Sequence, residues 1–232
     1  PVKEHLCRDF KVKPENIAVI HNGIDIQRFT FRKDAHEARA QIRKNFGLGE
    51  DDFAVGIVAR LSDVKGHAYL IKAMQTAVDR YPQAKLLIVG EGKMKEELVK
   101  LTQDLGIKSS VFFIPEVYDT APVLSALDLF VMPSLKEGLG LALMEAMASG
   151  LAVIGSNVGG IKSLIEDGYS GLLTEPANSK QLSNAIIDLL KDPQRRKSLG
   201  NNARDYIAQN FPQEKMVLET EKVYLECLNA KD

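Results

Sequence analysis

Apolar and polar positions along this chain fall into two alternating patterns. Short runs rich in Val, Ile and Leu recur at Phe53–Val58, Lys85–Val89, Val111–Ile114, Leu129–Met132, Ala152–Gly155 and Gly171–Thr174. Between them, apolar residues return at helical spacing over Gly66–Tyr81, Met94–Leu105, Ala121–Ala126, Leu141–Ser149 and Ile161–Glu166. Nearly continuous apolar strands divided by helices predict a parallel sheet covered on both faces. Right-handed crossovers then give an α/β fold with a doubly wound, parallel six-stranded Rossmann-like sheet and extra C-terminal helices. Ahead of the first strand, Pro1 to Val12 is amphipathic through Val2, Leu6 and Phe10 and stops before Pro14. Ile17–Ile20 reads as a short strand closed by an Asn22-Gly23 turn, and Asp34–Phe46 as a helix ended by Gly47 and Gly49. After the last strand the pattern predicts helices over Ser179–Lys191, Pro193–Asn210 and Glu214–Asn229, the last with Met216, Val217, Val223, Tyr224 and Leu228 on one face.

Composition narrows the class without naming a function. The 232 residues are 45% apolar and 26% charged, an ordinary globular balance for one α/β domain with appended helices. A net charge of −1 supplies no general field for nucleic acid. No apolar run reaches about 18 residues, so no spanning helix is expected. The sequence opens on Pro1 without a signal peptide and so reads as an excerpt of something longer. Cys7 and Cys227 stand near opposite ends with no framework spacing, which fits reduced thiols and a cytoplasmic setting. His5, His21, His36 and His67 have no metal-ligand spacing.

In an open α/β sheet, ligands bind beyond the carboxyl ends of the strands, so the residues just after each strand carry the functional reading. After the first strand comes Ala59-Arg60-Leu61-Ser62-Asp63-Val64-Lys65-Gly66. The G-x-G-x-x-G fingerprint is absent there; two cations, Arg60 and Lys65, stand in its place, and such groups suit phosphate oxygens. After the second strand Gly90-Glu91-Gly92 reads either as a tight turn or as room for a base or phosphate. After the third strand comes Pro115-Glu116-Val117, where Pro115 offers no N–H and a backbone contact falls to Val117. After the fourth strand Glu137-Gly138-Leu139-Gly140-Leu141 opens a helix that carries Glu145. Its first amides point back toward the strand end and attract phosphate. Glu145 rises about 6 Å above Leu141 at 1.5 Å per residue, on a mostly apolar helix where a charge needs a partner. After the fifth strand Gly155-Ser156-Asn157-Val158-Gly159-Gly160 reads equally as a connector or as a loop of close approach.

Glu137 and Glu145, followed by Ala-Met-Ala-Ser-Gly, resemble the paired-glutamate motif of family-4 retaining glycosyltransferases. Asn22-Gly23-Ile24-Asp25 with Phe29 resembles the linker into their donor domain, and Gly168-Tyr169-Ser170-Gly171-Leu172-Leu173 resembles another of their edges. The resemblance runs from Ile17 to the C-terminus, with Pro115 a departure where those enzymes commonly have Gly. It implies one half of a GT-B fold: residues 1–16 a remnant of an interdomain segment, 17–212 the nucleotide-sugar domain, and 213–232 a helix crossing to a missing N-terminal acceptor domain. It further implies that Arg60 and Lys65 hold the donor pyrophosphate and that Glu137 meets sugar hydroxyls. Gly138, Leu139, Gly140 and Leu141 would touch sugar and phosphates, Gly90, Gly92 and Val117 the nucleotide, and Glu145 the ribose. The chain alone is then expected to bind donor without transferring sugar. With no Asp-x-Asp, and with Glu50-Asp51-Asp52 before its strand, no metal or other cofactor is expected. Membrane contact is expected only through the missing half. The competing classes are a sugar-nucleotide epimerase-like domain and a non-catalytic nucleotide-sugar-binding module.

Overall fold

The computed structural model describes residues 2–30 and 35–229. The expected helix start at Asp34 lies outside them, as do Pro1 and residues 230–232. Ahead of the sheet come α1 (Val2–Phe10), α2 (Gln27–Thr30) and α3 (Ala35–Asn45). The sheet strands are β1 (Phe53–Val58), β2 (Ala84–Val89), β3 (Val111–Ile114), β4 (Leu129–Met132), β5 (Ala152–Ser156) and β6 (Leu172–Thr174). The helices between them are α4 (His67–Arg80), α5 (Lys95–Asp104), α6 (Ala121–Ala126), α7 (Leu141–Ala148) and α8 (Ile161–Leu164). After the sheet follow α9 (Ser179–Lys191), α10 (Pro193–Asn210) and α11 (Gln213–Asn229).

The strands lie in the order β3-β2-β1-β4-β5-β6, and every pair is parallel. Winding outward from β1 in both directions leaves a crevice between β1 and β4, where the connections part to opposite faces. The period of two along each strand feeds two cores. Val55, Ile57, Leu129 and Val131 enter a core covered by α4, α5 and α9. Ala54, Phe130, Met132 and Val153 enter the other, covered by α6, α7, α8 and α10. Helix α4 shows the matching helical period, burying Leu70, Ile71, Met74 and Ala77. Helix α7 is buried nearly all round, with Leu143, Met144, Ala146, Met147 and Ala148 inside, so its N-terminal end is the part left at the crevice.

One sequence expectation changes here. Ile17–Ile20 forms no strand: β3 and β6 close the sheet edges, and no neighbour among the described residues offers this segment a ladder. It runs extended, with Ala18 and Val19 exposed, and Lys3 Nζ donates to the Ile17 carbonyl at 2.7 Å. The pairing comes later, at Ile24, which bridges Pro212 in parallel. Ile24 N–H donates to the Phe211 carbonyl at 3.0 Å and Gln213 N–H to the Ile24 carbonyl at 3.1 Å. Gly23 permits this clip, because a Cβ there would lie 2.5 Å from the Pro212 carbonyl oxygen. Helix α11 buries no residue, and Leu218, Tyr224 and Leu228 stand more than 60% exposed, so it does not pack on this sheet.

At the opposite end of the sheet, Arg43 is only 6% exposed and ties the Gly49–Asp52 turn down. Its guanidinium donates to the carbonyls of Ala126, Gly49 and Asp52 and to Asp128. The acidic run Glu50-Asp51-Asp52 therefore sits away from the crevice, before β1, as its position ahead of the strand predicts.

Candidate functional site

Main-chain contacts between loops build the floor of the crevice. The β1–α4 loop continues the parallel ladder past the strands, with Ala59 N–H donating to Val89 at 3.0 Å and Leu61 N–H to Glu91 at 2.8 Å. Gly66 has φ +73°, and a Cβ there would lie 2.0 Å from the Pro133 carbonyl oxygen. Leu135 N–H donates to the Val64 carbonyl at 2.7 Å. These contacts draw the loop after β1 against the loop after β4, and Lys65 Nζ reaches Glu137 Oε2 at 2.5 Å. The pair is partly sheltered, with side chains 20% and 13% exposed. Glu137 is oriented further by Gly138 N–H, which donates to Oε1 at 3.2 Å, and by the Ser134 hydroxyl, 3.5 Å from Oε2.

The back of the Glu137 turn rests on the loop after β5. Gly160 N–H donates to the Glu137 carbonyl at 3.1 Å. A Cβ at Gly160 would lie 2.0 Å from the Gly138 carbonyl oxygen, and one at Gly159 2.1 Å from that of Glu137. The two glycines thus seat the turn, which is the structural meaning of the close-approach pattern in that loop. A Gly160→Ala exchange is expected to cost about 1–3 kcal/mol of stability, because backbone on both sides must shift to admit the methyl. Urea unfolding checks the cost; a midpoint equal to that of the parent chain would contradict the packing described.

Beside this turn opens a hollow of about 340 Å³ whose wall includes Arg60, Gly90, Val117, Leu141 and Glu145. Arg60 is exposed and enters no ion pair or side-chain hydrogen bond among the described residues. Gly140, with φ +85°, caps α7 without a side-chain bond, so the first helical amides at Leu141 and Ala142 face the crevice with no acceptor in their own helix. Gly138 has open space at its Cβ position. Glu145 is half-buried, and Thr120 supplies its partner, donating from Oγ1 to Oε2 at 2.9 Å. Burial holds the Glu145 carboxyl above the usual carboxylate range, opposed by the Thr120 hydrogen bond and by the charge of Arg28.

The structure therefore gathers Arg60, Gly90, Val117, Leu141 and Glu145 around one hollow and places Glu137, Gly138, Leu139 and Gly140 in the adjoining turn, with Lys65 paired to it from the loop after β1. Gly92 instead supports a neighbouring loop, since a Cβ there would lie 2.3 Å from the Leu61 carbonyl oxygen. Gly90 serves in both ways, lining the hollow while its Cβ position falls 2.3 Å from the Ala59 carbonyl oxygen. Two cations and the α7 amides have the chemistry to suit an anion, and the carboxyls of Glu137 and Glu145 have the chemistry to suit hydroxyls.

Sequence reasoning missed three contributors. Thr120 occupies the helix-cap position of α6 yet spends its hydroxyl on Glu145. Ser134 is fully buried behind Glu137. His67 opens α4 at 2% exposure, and among the described residues neither ring nitrogen has a hydrogen-bond partner, nor does the Ser62 hydroxyl. Burial pushes the His67 pKa down to about 4; the nearby Ser62 backbone opposes the shift and the Lys65 charge adds to it. The available signal was its place one residue after Gly66, where a buried helix must begin.

The sequence pattern of the family described as glycosyl transferases group 1 matches residues 38–206. The chain belongs to that family. Among curated group 1 relatives, N-acetyl-alpha-D-glucosaminyl L-malate synthase of Bacillus anthracis is 33% identical over 94% of this chain and 56% of its own length. Among solved structures, Anabaena Alr3699/HepE in complex with UDP and glucose superposes with a TM-score of 0.83 at 29% identity, covering 94% of this chain and 58% of that one. The C-terminal domain of LpcC, a group 1 protein of Francisella tularensis, superposes at 0.73 with 28% identity, covering 82% of this chain and 99% of that domain. The chain spans little more than half the length of the curated relatives it matches. Its fold is that of the C-terminal half of GT-B glycosyltransferases.

Proposed function

We propose that this chain is the donor-binding half of a retaining glycosyltransferase. It takes a nucleoside-diphosphate sugar, with UDP the first candidate, and the sugar passes to an acceptor held by a preceding domain. One observation carries the reading: Lys65 rests on Glu137 at 2.5 Å at the strand ends where α7 points its amides, and Arg60, unpaired among the described residues, lines the hollow at the start of that helix. Arg60 and Lys65 hold the pyrophosphate and stabilise charge on the departing nucleoside diphosphate. An ammonium has three protons to give, so Lys65 serves a phosphate while keeping Glu137 in place. Glu137 and the amides from Gly138 to Leu141 grip the sugar, and Glu145 accepts from the ribose hydroxyls. Gly90 and Val117 border the base; Gly92 supports the loop beneath it. In the transfer, the bond from the anomeric carbon to the diphosphate oxygen breaks with its electron pair on that oxygen, the acceptor hydroxyl's oxygen bonds to the carbon with the configuration kept, and its proton passes to the departing diphosphate.

The two cations do what a divalent ion does in metal-dependent transferases, so donor binding needs no added metal. The exposed apolar face of α11 would lie on the missing N-terminal domain. Among the described residues no helix is long and apolar enough to cross a membrane, and any membrane contact belongs to the other half. The site has the resources for donor binding alone, so the 232-residue chain binds donor and transfers no sugar. Calorimetric titration with UDP, GDP and UDP-glucose, with and without EDTA, tests the reading. Expected is saturable binding of at least one nucleoside diphosphate, unchanged by the chelator and weakened about tenfold by Arg60→Ala, as for loss of one charged hydrogen bond. No heat with any of these ligands overturns it.

A further inference from the structure

The linker helix α2 makes a contact that nothing in the proposed mechanism uses. Asp25 caps it, its Oδ1 accepting from Gln27 N–H at 3.0 Å and Arg28 N–H at 3.3 Å. Held there, Arg28 reaches across to Asp119, Nη2 to Oδ1 at 2.9 Å. The same Asp119 oxygen accepts from Ala121 N–H at 3.1 Å, capping α6 from the position before its cap residue. The next residue in the chain is Thr120. A threonine in the cap position ordinarily turns its hydroxyl to the helix amides. Here the second helical residue, Pro122, has no N–H to offer, and the Thr120 hydroxyl donates to Glu145 Oε2 at 2.9 Å.

We propose that Arg28 is a positioning residue for the ribose end of the pocket: by anchoring Asp119 it holds the adjoining Thr120 where its hydroxyl fixes Glu145, leaving Oε1 for the nucleotide hydroxyls. This rests on the reading of Glu145 as the ribose-holding group. Electrostatics points the same way. Arg28 lowers the cost of a charge on Glu145 and Asp119 raises it to a lesser extent, so both members of the pair are felt at this carboxyl. The pair itself is about half exposed, 45% and 44% at the side chains, and pairs so exposed contribute little to folding. Replacing Arg28 is therefore expected to leave a folded chain with a misaligned carboxylate. The anchor lies in the segment clipped to Phe211–Gln213 through Ile24, so the grip on ribose depends on where the linker sits.

The test compares UDP with 2′,3′-dideoxy-UDP by calorimetry on the 232-residue chain and its variants Arg28→Met, Thr120→Val and Glu145→Gln. Expected is a three- to tenfold loss of UDP affinity in each, with the dideoxy affinity unchanged, because that ligand has no hydroxyls for Glu145. Arg28→Lys should restore part of the loss, and Arg28→Met combined with Thr120→Val should be no weaker than Thr120→Val alone. If Glu145→Gln discriminates between the ligands and Arg28→Met does not, the inference is wrong while the ribose reading stands. An equal loss for both ligands in Arg28→Met likewise overturns it, since a general structural role moves both. If Glu145→Gln fails to discriminate, the ribose reading and this inference fall together.

Discussion

Lys65→Ala is expected to weaken nucleoside-diphosphate binding about 10- to 100-fold, the range for losing a hydrogen bond to a charged group worth about 1.5–3 kcal/mol. Two losses combine in it. The diphosphate loses a cation, and Glu137, left without the ammonium that lies 2.5 Å away, now repels the incoming phosphate. The same exchange should lower stability by about 1–2 kcal/mol, between the values for exposed and fully buried pairs, because the side chains are 20% and 13% exposed. A double exchange, Lys65→Ala with Glu137→Gln, should recover the stability and leave affinity low. Calorimetry and urea unfolding of both variants check this; unchanged UDP affinity in Lys65→Ala would remove the lysine from the donor site.

The second large effect concerns pH. His67 has its pKa pushed down to about 4 in the folded chain, against an ordinary value of 6.5. Between those values the unfolded chain binds a proton that the folded chain refuses, so stability falls as pH drops from about 6.5 toward 4. The slope is about 1.4 kcal/mol per pH unit and the total about 3 kcal/mol. Above pH 6.5 the ring is neutral in both states and contributes no slope. The ring nitrogens have no hydrogen-bond partner among the described residues and meet only the nearby Ser62 backbone, so His67→Leu should be tolerated at pH 7. The difference in unfolding free energy between parent and variant should then shift in the variant's favour by about 3 kcal/mol across the window. Urea titrations at pH 7, 6, 5 and 4 measure it, and parallel curves would show that the histidine is reached by water.

Much of the fold could be read from the sequence, because each buried strand is a run that only a sheet covered on both faces can use. Val111–Ile114 and Leu129–Met132 match to the residue, and β5 extends only to Ser156. Ile17–Ile20 misled because a strand needs a neighbour as well as a suitable composition. The four residues of α2 were too few to show a period. Within the site, the strand-end rule pointed to Arg60, Lys65, Glu137 and Glu145, since topology alone brings strand ends together. What it could not supply was pairing across 72 positions between Lys65 and Glu137, or across 91 between Arg28 and Asp119, which depends on how far each loop leans. Thr120 was hidden for a subtler reason: at a helix cap a hydroxyl ordinarily has a local use, and only the fold brings Glu145 within its reach.

The floor of the crevice is made where main chain meets main chain, at Gly66 on Pro133, Gly90 on Ala59, and Gly160 on Gly138. A scaffold assembled that way is indifferent to the identity of the side chains mounted on it. Residues around the rim can be exchanged while the cradle keeps its shape, so new ligand preferences are open to this architecture through single changes at the rim.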